Sequence, residues 1–251
     1  MSDTGMPRPS FPVPAKLGEF RHGLPSEAAL RWLAAGWRMY LQEPLLWVVA
    51  TFIFLLAWWL VSLVPLAGPI ALNLFMPVLA AGWLTACRRV DEGGPLKLVQ
   101  LTEGFRHALS GLVLLGVAAI ASGLVILLLA TPILGLGVWT GMMSRGAAGA
   151  GAAAGSFLVG LVVLLVLAAP VLMALWFAPA LVMLQGRGPL AALLLSLRAW
   201  LANPAPLGLF LVMLIALWIF ATLPAGLGLL VFIPVAAGAH YASFRELFHP
   251  A

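Results

Sequence analysis

Apolar positions in this chain fall into long unbroken runs, without the polar interruptions of a half-buried helix or strand. Six runs approach or reach the roughly 20 residues needed to cross a bilayer core. They extend from about Leu45 to Val64, Pro69 to Cys87, Leu109 to Leu129, Ser156 to Leu184, Leu207 to Leu223 and Gly226 to Ser243. The third has an open continuation through "TPILGLGVW". Turn residues separate the closest neighbours: Pro65-Leu66-Ala67-Gly68 between the first two, Pro224-Ala225 between the last two. The pattern predicts an all-α polytopic membrane bundle of six spans.

A different periodicity precedes alternate spans. In "SEAALRWLAAGWRMYLQEP", Leu30, Leu33, Trp37 and Leu41 share one helical face, while Glu27, Arg31, Arg38 and Gln42 share the other. Pro25-Ser26 and Pro44 give a start and a stop. Such a helix lies in the membrane interface. A second candidate is "PLKLVQLTEGFRHALSG", with Leu98, Leu101 and Phe105 aligned. A third, "PLAALLLSLRAWLANPAP", is more apolar and is expected against the bundle. Each carries a small residue, a large apolar one and arginine: Gly36-Trp37-Arg38, Gly104-Phe105-Arg106 and Ser196-Leu197-Arg198.

The following second spans share a Phe-x-Pro triplet, ending at Pro77, Pro179 and Pro234. The expected unit is an interfacial helix, a span, then a proline-kinked span, occurring three times. Each proline deprives the carbonyl four residues earlier of its helix donor, at Asn73, Leu175 and Leu230. Those carbonyls either find local partners or form a polar spot, and local accommodation is the commoner outcome in membrane helices. Asn73 is the one strongly polar side chain deep in a span, and is expected to act as hydrogen-bonding glue between helices.

Composition excludes a water-soluble fold: 63% of the 251 residues are hydrophobic and 8% charged, against about 25% charged in soluble domains. The formal charge of +5 does not point to nucleic acid, because the basic residues flank spans instead of clustering. Twelve of the 13 lie in the N-terminal segment, after spans two and four, or at the C-terminus; Arg145 alone falls on the other side. The asymmetry predicts cytoplasmic N- and C-termini. Residues 1–25, with prolines and no apolar run, read as a disordered tail and not as a signal peptide. Residues 26–248 read as one membrane domain.

Candidate chemistry is sparse. No Asp, Glu, Lys or Arg sits at the centre of a span, so the usual mark of an ion path is missing. His240 and His107 read as interfacial histidines and not as haem ligands, since no second metal-type ligand accompanies either at useful spacing. Cys87 stands alone. Trp32, Trp37, Trp47 and Trp139 fit interfacial belts, whereas Trp58, Trp59, Trp83, Trp176, Trp200 and Trp218 are expected to pack or face lipid. "GAAGAGAAAG" contains Gly151-xxx-Gly155, but reads as a flexible connection. No catalytic, cofactor-binding or metal residue is assigned, and no cofactor is expected.

The stretches "WFAPALVMLQGRGPLAALLLSLRAWLANPAPL", "LAAGWRMYLQEPLLW", Ala86-Cys87-Arg88 and "YASFRELF" resemble an uncharacterised family of bacterial inner-membrane proteins common in beta-proteobacteria. That architecture is distantly similar to the membrane domain of some glycerophosphodiester phosphodiesterases, whose catalytic domain has no counterpart here. The resemblance implies an integral membrane fold without an assigned activity. The expected function is that of a scaffold, accessory or assembly partner, with the bilayer and an unidentified membrane protein as partners. Small-molecule or lipid transport is the alternative, and catalysis ranks third.

Overall fold

In hydrocarbon a backbone can satisfy its polar groups only within itself, so the apolar runs become helices. The computed structural model describes residues 20–143 and 147–248, and its regular elements are helical throughout the described residues. In chain order these are α1 (Ala28–Gln42), α2 (Pro44–Ser62) and α3 (Ala67–Asp91). A 3-10 turn (Leu98–Thr102) then leads into α4 (Glu103–His107), α5 (Leu109–Met143) and α6 (Ala147–Gln185). α7 (Pro189–Ala202), α8 (Pro204–Thr222) and α9 (Leu229–Phe248) complete the order. Proline at the first helical position starts α2, α7 and α8, where its missing N–H costs nothing.

Five of these helices are long and apolar enough to cross a membrane: α2, α3, α8 and the segments Leu109–Pro132 and Ala153–Gln185. The sixth expected span begins at Leu229 and not at Gly226, because Pro224 to Gly228 form turns. Its second half carries His240, Tyr241, Ser243, Arg245 and Glu246, which lowers its apolar character below that of the other five.

The Gly/Ala-rich segment corrects the expectation of a flexible connection. From Ala147 onward it is helical and continuous with α6. Alanine has the highest helix propensity, and alternating it with glycine does not break the run. Gly151 and Gly155 have nothing within 4 Å of where a Cβ would stand among the described residues. α5 runs through Pro132 to Met143. At 1.5 Å per residue, the 35 and 39 residues of α5 and α6 make rods of about 52 and 58 Å, well beyond a hydrocarbon core of about 30 Å. Arg145 lies outside the described residues, as do residues 1–19 of the expected tail.

Helices α3, α6 and α9 touch one another pairwise, and each takes one of the short elements: α4 on α3, α7 on α6, α1 on α9. α1 buries Ala28, Ala29, Trp32, Gly36, Met39 and Tyr40. The face anticipated as membrane-directed, with Leu30, Trp37 and Leu41, is exposed. Thus α1 is held from one side by α9 and is free on the other. The second anticipated amphipathic helix is not one helix but the 3-10 turn followed by α4. Gln100 turns back to accept the Lys97 N–H (3.0 Å), and Gly104 sits against the Val78 carbonyl of α3.

Residues 20–25 of the expected tail are packed against the helices. Arg21 N–H bonds the Leu247 carbonyl at 2.9 Å. Buried Asn203 accepts from Leu24 N–H (3.0 Å) and donates to the Arg21 carbonyl (2.8 Å). Residues from Phe20 on therefore belong to the domain.

Candidate functional site: an aromatic cavity beside the proline-bearing helices

Pro77, Pro179 and Pro234 are all buried within their helices. At Pro179 the accommodation is explicit. The Ser196 hydroxyl from α7 meets the α6 backbone just before it. It accepts the Phe177 N–H at 3.0 Å and donates to the Met173 carbonyl at 2.6 Å. Met173 and Phe177 are each other's normal partners in an α-helix, so the hydroxyl bridges the two groups of one ladder position. Ser196 is fully buried. The small residue before arginine in the third short element thus has a backbone partner two residues before a repeat proline.

Asn73 departs from its expected role. It is exposed, and its amide donates to the Pro69 carbonyl of its own helix at 2.9 Å. It makes no cross-helix bond and lines no central polar spot. Leu175 and Leu230 are half-buried. The deeply buried amide is Asn203, which follows α7 and precedes Pro204. Its sequence signal was the Asn-Pro pair at a helix boundary, a common turn dipeptide.

The cavity that does form is apolar, with a volume of about 540 Å³. It draws on α2, α3, α6, α8 and α9, and its wall includes Trp58, Trp83, Trp176, Trp218, Pro179 and His240. Four tryptophans expected only to pack or meet lipid therefore converge. Trp218 and Met76 at its edge are 52% and 45% exposed, while Trp83 is buried. His240 faces Trp176 and Phe177, with ring centroids 5.2 and 5.3 Å away. It is thereby part of an aromatic wall. His107 lies elsewhere, paired with Glu103 at 2.6 Å.

Two belt assignments are also corrected. Trp47 is buried, stacks on Trp83 at 5.7 Å and donates to the Met39 carbonyl. Trp32 is buried and donates to Glu246 at 2.7 Å. Trp37 and Trp139 stay exposed. An indole that finds a hydrogen-bond acceptor can be buried whole, and both Trp32 and Trp47 find one.

Among the described residues no three His, Cys, Asp or Glu side chains gather as a metal site. The cavity offers apolar surface, aromatic edges and one imidazole. It can hold an apolar body of ligand size.

No family model and no solved structure matches the chain. A Burkholderia thailandensis protein named "probable inner membrane protein" is 30% identical over 226 residues, covering 84% of this chain and 79% of that one. These comparisons give no support to the likeness with glycerophosphodiester phosphodiesterases. The relation spans most of both proteins, and it agrees with the apolar helices: the chain belongs to the family of this bacterial inner membrane protein.

Proposed function

We propose that this protein is a non-catalytic, six-span inner-membrane protein whose aromatic cavity receives an acyl chain from the surrounding bilayer. The cavity itself carries the reading. Four of the five helices in its wall are of spanning length, and acyl chains are the abundant apolar bodies at that depth. The half-exposed rim at Met76 and Trp218 gives a lateral entrance. Lipid handling thereby moves ahead of a purely accessory role. The accessory role keeps one observation in its favour, the length of α5 and α6 beyond what a bilayer needs.

A phosphatidylcholine with a diazirine in mid-chain, in nanodiscs, tests the proposal by mapping the labelled residues. Labelling of the cavity wall around Trp218 and His240 is expected, with a fall of about tenfold in Ala236→Phe, which narrows the cavity. Labelling at lipid-facing Leu128 should not change. Equal wall labelling in both proteins would overturn the reading.

The sixth span is α9, its apolar Leu229–Ala239 half in the hydrocarbon and its polar half at the cytoplasmic side. The threefold unit is supported by matched contacts. Gly36 meets the Val235 carbonyl, next to Pro234; Gly104 meets the Val78 carbonyl, next to Pro77; Ser196 bonds Phe177, near Pro179. The span-to-span turns also match in the first and last units. Leu66 and Ala225, each after a proline, have φ of 60° and 52°. Gly68 abuts Val61 and Gly228 abuts Ala221, each seven residues back. The unit is cyclic: each proline-bearing helix carries the next short element, and α9 carries the first.

Both termini are cytoplasmic in this reading. In a Cys87→Ala background, single cysteines at Ser2 and Pro250 should react with an impermeant maleimide only after the cytoplasmic side is opened. A cysteine at Ser144 should react from outside. Reaction of position 144 from the cytoplasmic side alone would reverse the topology.

A further inference from the structure

A second pocket lies on the other face of α3. Its volume is about 680 Å³. At about 100° per residue, Met76, Leu79, Ala80 and Trp83 of the aromatic cavity project opposite to Thr85, Arg88, Arg89 and Glu92 of this one. The remaining wall comes from the segment after α3, including Lys97, Glu103 and His107, and from Met183 and Leu184 of α6.

The segment is fixed in place. Leu96 N–H bonds Glu43 Oε1 at 2.9 Å, and Lys97 N–H bonds Gln100 Oε1 at 3.0 Å. Gly93 turns the chain at a φ of 78°, and Gly94 N–H returns to the Arg89 carbonyl at 2.9 Å. Within the pocket, Arg88 pairs with Glu92 at 2.7 Å and His107 with Glu103 at 2.6 Å. Both carboxylates thus have cationic or protonatable partners. Arg89 and Lys97 are exposed and make no ion pair among the described residues. The α3 C-terminus repels an anion, so these two cations must supply the attraction.

We infer that this pocket binds the phosphate-bearing headgroup of an anionic phospholipid in the cytoplasmic leaflet. Basic pockets beside membrane helices on that side recognise such headgroups. Arg89 offers a planar fork for phosphate oxygens and Lys97 a point charge. Met183, Leu184 and Val99 give the wall an apolar part for the glycerol and the start of a chain. The inference does not rest on occupancy of the aromatic cavity.

Native mass spectrometry from phosphatidylcholine nanodiscs containing a minority of phosphatidylglycerol tests it. Wild-type protein should retain phosphatidylglycerol preferentially. At about fivefold per cation, the Arg89→Ala/Lys97→Ala variant should lose roughly thirtyfold of that preference. Arg38→Ala/Arg198→Ala removes the same charge from exposed positions outside the pocket and should keep it. Absence of preference in the wild type, or equal loss in both variants, would overturn the headgroup site. Displacement by millimolar glycerol phosphate would assign the pocket to a soluble phosphate and overturn the lipid source. Protection of buried Cys87 from maleimide verifies that both variants are folded.

Discussion

Replacing Gly36 with alanine, a change of one methyl group, should destabilise this protein by about 2 to 3 kcal/mol. Taken alone, the substitution favours a helix by about 1 kcal/mol. The opposing effect is steric. A Cβ on Gly36 would stand 2.5 Å from the Ala239 nitrogen and 3.0 Å from its Cβ, and closer still to the Val235 carbonyl oxygen. The first and last of these are backbone atoms of α9, so no rotamer change can relieve them. The axes must separate, and Gly238, which lies against Gly36 and Met39, loses its fit as well. Without a hydrophobic drive between helices in lipid, close packing of small residues is what holds such pairs. The ion pair of Arg31 with Glu246 at 2.8 Å is half exposed and cannot compensate, since exposed pairs contribute at most about 1 kcal/mol. Gly208→Ala is the control, because nothing lies within 4 Å of its Cβ position; it should be neutral or slightly stabilising. Thermal unfolding in detergent and the rate at which maleimide reaches Cys87 measure both. Equal behaviour of the two variants would refute a backbone-limited α1–α9 contact.

The same residues show where a sequence is readable. Unbroken apolar length places most of the spans, because a bilayer imposes a minimum helix length whatever the neighbours are. Small residues at Gly36, Gly104 and Ser196 are visible as a pattern, but their partners are not, since those lie up to about two hundred residues away on another helix. Leu30, Trp37 and Leu41 stand out by period, yet the buried face of α1 is the one with Ala28, Ala29, Trp32 and Gly36. Periodicity finds the apolar stripe; in a membrane that stripe can belong to lipid, while the small-residue face belongs to protein. Asn73 was the natural candidate for inter-helix bonding because depth along a span is legible. Its azimuth is not, and it faces outward. The cavity was illegible for the same reason: Trp58, Trp83, Trp176 and Trp218 come from four helices whose rotations only the packed bundle sets.

Ser196 offers the sharpest test of how the proline-bearing helices are held. Ser196→Ala removes the hydroxyl that bridges Phe177 N–H and the Met173 carbonyl. If Pro179 keeps that turn open, two backbone groups stay buried without partners, at about 1 to 3 kcal/mol each. The expected loss is therefore at least about 2 kcal/mol. Ser196→Thr retains the hydroxyl and should lose much less than alanine if its added methyl is accommodated. The diagnostic measurement is a double-mutant cycle with Pro179→Ala. That change returns an N–H to the Leu175 carbonyl and removes the ring that obstructs it, which lets Met173 and Phe177 re-form their own bond. In that background Ser196→Ala should cost under about 1 kcal/mol, and the coupling between the two positions should be about 1 to 3 kcal/mol. Strict additivity would mean that the Ser196 bridge does not depend on the proline. Coupling of the expected sign would identify α7 as the element that holds α6 at Pro179. Because Trp176 and Pro179 both line the aromatic cavity, the Ser196 bridge would then also hold that cavity's wall.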